Sequence, residues 1–144
     1  NVYAELGTTF NYCGPNCDGS DPGGFVRLYI QGTNPDCVGV SGWHPERPDC
    51  EAQYWWSNPI HIDLADLALL AKGITLQEVL SPAFWSDRDG HMGDSSAEHT
   101  AWFSAAVANA TKMGLSFGGG GNFAFGTGAS RSAQFLLYDF KTKK

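Results

Sequence analysis

The stretch Ala101–Gly121, AWFSAAVANATKMGLSFGGGG, constrains this chain most, because its hydrophobic period changes partway along. Phe103, Ala106, Val107 and Ala110 recur at helical spacing, which gives one buried helix face. Upstream, Ser95 and Glu98 form an S-x-x-E pair, whose side chains satisfy the orphan N–H groups of a helix start. Lys112 is placed to complement the helix dipole in the last turn, and Gly114 to serve as a left-handed C-cap. Beyond it, Leu115 and Phe117 alternate with Ser116 as in a strand, and the glycines at 118–121 break that strand. Phe123 and Phe125 alternate again. A last strand places Ala133, Phe135, Leu137 and Asp139 on one face, with Gln134, Leu136, Tyr138 and Phe140 on the other. One helix, about 96–112, feeding a core strand is the organising unit.

The remainder reads as strands and loops. Val2–Phe10 predicts a first strand and Phe25–Ile30 a clean second one. Ala52–Trp56, Ile60–Leu64 and Ile74–Leu80 predict further strands, while Leu64–Lys72 also fits a short helix. Asn11–Gly24 and Thr33–Glu51 are loops dense in Gly, Pro, Asn and Asp. A length of 144 residues predicts one domain. With 17% charged residues, 18 glycines and 13% aromatics, the composition suits an all-β extracellular domain with many turns. A net charge of −6 argues against nucleic acid and against an anionic membrane surface as partners. No apolar run approaches the ~20 residues that a spanning helix needs.

From Phe84 to Phe140 the chain resembles the second half of a galactose-binding-like jelly roll, as in the laminin IV type domain and related bacterial extracellular modules. The resemblance rests on Phe84-Trp85-Ser86 followed by Gly90, on Phe103 and Ala106-Val107-Ala108-Asn109, on Gly114-Leu115-Ser116-Phe117-Gly118-Gly119-Gly120, and on the closing strand to Phe140. It implies a jelly-roll β-sandwich with one short helix. It leaves function open, because that fold hosts lectins, polysaccharide-binding modules, adhesion domains and enzyme accessories alike. The first half of the chain, with its cysteines, matches no pattern of that family.

Four cysteines, Cys13, Cys17, Cys37 and Cys50, lie in roughly the first third. In a loop-rich region an even count predicts two disulfides and an oxidising, secreted location. Three pairings exist. Local closure favours Cys13–Cys17 with Cys37–Cys50, and the longer loop would contribute about 3 kcal/mol in the chain-entropy model. A zinc site of all four is disfavoured by spacings that lack paired C-x2-C knuckles.

Two groups are candidate sites. Tyr54-Trp55-Trp56 on a strand divides between two faces, so one face is expected to expose an aromatic platform of the kind on which sugar rings stack. Trp43, beside His44, is a second platform; Trp85 and Trp102 are expected in the core. In the run Ser86–Asp94, the carboxylates of Asp87, Asp89 and Asp94 surround a glycine turn and are candidate ligands for a structural Ca2+. The bland alternative is a solvated acidic turn before a helix. The four histidines, at 44, 61, 91 and 99, show no ligand spacing. No G-x-S-x-G elbow, H-E-x-x-H pair or phosphate loop occurs, and the aspartates at 63, 66, 87, 89 and 94 fix no catalytic separation, so no enzyme is expected.

The reading that follows is a non-catalytic, lectin-like extracellular module that binds a glycan or polysaccharide. Trp43, Tyr54, Trp55, Trp56 and the Asp87–Asp94 loop would form its contact surface. The alternative is a structural or adhesive subunit that self-associates through edge strands, first of all Val2–Phe10.

Overall fold

A computed structural model of the chain describes residues 2–4, 8–12, 24–33, 50, 53–58, 62–70, 74–118 and 127–142. These are mostly sheet, with one helix longer than two turns, consistent with the all-β class. The strands are β1 (Val2–Ala4), β2 (Phe10–Tyr12), β3 (Phe25–Gly32), β4 (Tyr54–Ser57), β5 (Ile62–Asp63), β6 (Trp85–Ser86), β7 (Ala110–Gly118), β8 (Thr127–Ala129) and β9 (Ala133–Phe135). The helices are α1 (Leu64–Leu69) and α2 (Ala97–Ala108), with a 3-10 turn at Pro82–Phe84. The sheets are open: β1–β9 and β2–β8 are antiparallel pairs, and the largest sheet runs β5-β3-β4-β6, with β7 also pairing β3.

The chain divides into two compact units, each drawn from separated stretches. The first comprises Asn1–Val26, Ile62–Thr75 and Phe117–Lys144. Here Phe25 and Val26 pair with Asp63 and Ile62. Asp63 caps α1 by accepting from the Ala65 N–H at 2.7 Å, and Leu64 and Leu67 turn their side chains inward. Phe117 and Phe135 meet edge to face at 4.8 Å.

The second unit, Arg27–His61 and Leu76–Ser116, has its core between the sheet and α2. Ile30, Trp55, Trp85, Phe103 and Ala106 form a buried cluster, and Leu28, Trp102, Val107 and Met113 pack against it. The ring of Phe103 lies edge-on to Trp55 at 5.2 Å. Gly32 lets α2 approach the sheet: a Cβ there would stand 2.5 Å from the Ala106 Cα. Trp85 and the inward face of Phe103 and Ala106 therefore sit where the sequence places them, and Trp102 is half-buried beside them.

Several boundaries differ from the sequence reading. The helix is capped by Ser96, which accepts from the His99 N–H at 3.1 Å, and not by Ser95. It ends twelve residues on at Ala108, because the Asn109 side chain bonds back to the Ala105 carbonyl at 2.9 Å and closes the last turn. Lys112 and Gly114 consequently lie within β7, where Thr111 donates to the Gln31 carbonyl at 3.2 Å. The expected first strand is two strands with different partners, β1 on β9 and β2 on β8. Residues 74–80 form no strand: Ile74, Val79 and Leu80 are exposed, and the Val79 carbonyl is taken by the Trp85 indole at 2.8 Å. The last strand ends at Phe135, leaving residues 136–140 outside regular structure.

Candidate functional site

The register of β3 on β4 pairs Tyr29 with Trp56, Ile30 with Trp55, and Gln31 with Tyr54. Alternation along each strand then sorts these side chains between the two faces. Ile30 and Trp55 enter the core, while Arg27, Tyr29, Gln31, Tyr54 and Trp56 share the opposite face. Three rings form a triangular cluster there. Tyr54 stacks on Trp56 at 6.5 Å and on Tyr29 at 6.4 Å, and Tyr29 tilts against Trp56 at 5.4 Å. The Tyr29 hydroxyl donates to Gln31 Oε1 at 3.1 Å.

Trp55 and Trp56 are 0% and 2% exposed, so neither indole offers a bare platform. The surface that remains accessible in the cluster belongs to the half-buried Tyr29 and Tyr54. Alternation does divide Tyr54-Trp55-Trp56 as expected; what it could not convey is that the second face is itself largely covered. Burial, reinforced by neighbouring Tyr54, raises the Tyr29 pKa above its ordinary value, and burial lowers that of Arg27. Trp43 lies outside the described residues, as do Cys13, Cys17 and Cys37. Cys50 is buried and disulfide-bonded.

The second site is the loop between β6 and α2. Gly90, at φ 85°, makes its turn, and Met92 returns to pair with Ser86. The Asp87 N–H donates to the His91 carbonyl at 3.0 Å, and the Gly93 N–H to the Trp85 carbonyl at 2.8 Å. Asp87 is buried, and its Oδ1 accepts from the backbone N–H groups of Asp89 at 3.0 Å and His91 at 2.8 Å. Its Oδ2 faces two imidazoles: His91 Nδ1 at 3.3 Å and His99 Nε2 at 3.5 Å.

Asp89 and Asp94 are exposed and do not join Asp87 in a ligand set; the grouping among the described residues is Asp87, His91 and His99. The sequence reading missed both histidines, because His91 lies in a loop and His99 on the helix that follows, so no single helix or strand face carries the pair. The chain reversal at Met92 and Gly93, followed by the first turn of α2, brings them together. The signal that could have found them is the Asp-x3-His spacing across a glycine turn, followed by a histidine in the first turn of a capped helix.

Comparison of the chain with protein-family models, with curated proteins and with solved structures gave no match.

Proposed function

We propose that the protein is a non-catalytic, extracellular carbohydrate-binding module of jelly-roll type. The observation that carries this reading is the cluster of Tyr29, Tyr54 and Trp56, with Arg27 and Gln31 on the same sheet face. Sugar rings have apolar C–H faces and hydroxyl rims. A ligand site therefore needs aromatic surface for the first and a few fixed polar groups for the second. Tyr29 and Tyr54 supply aromatic edges with hydroxyls, Gln31 an amide, and the buried Trp56 packs against both tyrosines. A helix that leads directly into a sheet strand suits the jelly-roll reading, and the disulfide at Cys50 suits an oxidising compartment.

The test is a glycan array on the intact protein, followed by titration of the best ligand into wild type, Tyr54→Ala and Tyr29→Ala. Each substitution is expected to weaken binding by about tenfold or more while the circular dichroism of the fold is retained. A blank array, or a ligand bound equally well by both variants, would sink the reading.

One feature supports the structural or adhesive alternative. β1 pairs only with β9 among the described residues, and Tyr3, Leu137 and Tyr138 are exposed in the same unit. An open strand edge is a template for another chain. Light scattering over a concentration series distinguishes the two: a rising mass favours assembly, and a constant monomer mass removes it.

A further inference from the structure

Asp87 Oδ2 and the two imidazoles that face it stand at separations that suit a shared ion better than they suit one another. A charge-assisted N–H···O bond closes to about 2.7–2.9 Å. The imidazole nitrogens of His91 and His99 stop at 3.3 and 3.5 Å from the carboxylate. Bonds of about 2.0–2.1 Å from a tetrahedral ion to nitrogen or oxygen put neighbouring ligand atoms about 3.3–3.4 Å apart. The three ligand atoms all lie within 4.8 Å of one another. His91, with 57% of its side chain exposed, is the ring with room to close the remaining distance.

The supporting shell is in place as well. Oδ1 of Asp87 is committed to two backbone N–H groups, which fixes the carboxylate and leaves Oδ2 as a single donor. On the other ring nitrogen of His99, Nδ1 lies 2.8 Å from the Ser96 hydroxyl. That contact matches the outer-shell partner that orients a metal-bound histidine and sets its tautomer. The ring of His99 is braced further by Trp102 at 5.0 Å. Two imidazoles and one carboxylate are the donors that zinc and its neighbours take, whereas calcium takes six to eight oxygens.

We infer that Asp87 Oδ2, His91 Nδ1 and His99 Nε2 bind a divalent transition ion of the zinc class, with one coordination position left open on the exposed His91 side. The ion joins the β6–α2 loop to the first turn of α2. Its open position takes water or an oxygen of an incoming ligand. No residue of the aromatic face takes part, so this inference and the carbohydrate reading stand or fall separately.

The experiment is calorimetric titration of Zn2+ alone into the untagged full chain with its disulfides intact, paired with Co2+ absorption. One Zn2+ per chain is expected, with visible d–d bands when Co2+ takes its place. His91→Gln and His99→Gln should each weaken binding by about tenfold or more, and the paired change Asp89→Asn with Asp94→Asn should leave it unchanged. A readout on the unaltered protein protects against a variant that fails to fold: Zn2+ must shift the ring-nitrogen resonances of His91 Nδ1 and His99 Nε2. The inference is overturned by no uptake of Zn2+, by shifts confined to His44 or His61, or by Ca2+ binding that depends on Asp89 and Asp94.

Discussion

Replacing Gly32 by alanine tests the closest approach in the second unit. A Cβ built at Gly32 meets three atoms of Ala106: the Cα at 2.5 Å, the carbonyl oxygen at 2.8 Å and the Cβ at 3.0 Å. Carbon atoms in ordinary contact sit about 3.5–4.0 Å apart, so α2 must lift from β3 by roughly 1 Å or more. Two of the obstructing atoms belong to the helix backbone, which cannot step aside as a flexible side chain would. Moving the helix also loosens Phe103 against Trp55 and Trp85. Overpacking of this kind costs about 1–3 kcal/mol, and the backbone contact argues for the upper half of that range. The strand-propensity gain of alanine over glycine, about 0.5–1 kcal/mol, offsets only part of it. The net expectation is a loss of about 1–2.5 kcal/mol.

Gly114 gives the comparison. It lies in β7, and a Cβ there meets nothing within 4 Å. Gly114→Ala should therefore stabilise by about 0.4–1 kcal/mol, chiefly by restricting the unfolded chain. Urea unfolding followed by tryptophan fluorescence reads both, since Trp55 and Trp85 lie in the affected cluster. With a slope of about 1–3 kcal/mol/M, the two midpoints should move in opposite directions by a few tenths of a molar or more. If Gly32→Ala unfolds at the wild-type midpoint, helix and strand do not meet as described and the account of this core fails.

Two further outcomes follow from single side chains. Burial raises the Tyr29 pKa in the folded protein above the unfolded value of about 10. Its stabilising contribution is therefore complete below about pH 10 and is lost as the pH climbs through the folded value. Stability measured from neutral to alkaline pH should fall less steeply in Tyr29→Phe than in wild type, and coincident curves would refute the assignment. Ser96→Ala removes the acceptor for the His99 N–H and should cost about 1 kcal/mol by thermal or urea unfolding, whereas Ser95→Ala should be close to neutral.

What could be read from the sequence was what depends on near neighbours. The helical spacing of Phe103 and Ala106 does mark the buried face, and Trp85 is in the core. The alternation of Tyr54-Trp55-Trp56 divides the strand between two faces. The boundaries were harder, because competing caps of similar worth stand side by side. Ser95 and Ser96 are both plausible starts, and Asn109 ends the helix before Gly114 can. Ile74–Leu80 has strand-like residues but finds no ladder partner, since Val79 turns its carbonyl to the Trp85 indole instead. The site around Asp87 shows why function was less legible than fold. Three aspartates in one loop suggested an oxygen-rich cation site, yet only one of them turns inward, and its neighbours are a histidine across the turn and another on the following helix. A linear spacing rule sees ligands on one helix or one strand. It cannot see a set completed by a reversal of the chain, where Gly90 supplies the turn and Ser96 fixes the register at which α2 begins. Such a centre is specified by its caps and turns as much as by its ligands. Moving the helix start from Ser96 to Ser95 would rotate His99 by about 100° around the helix axis and carry its ring away from Asp87.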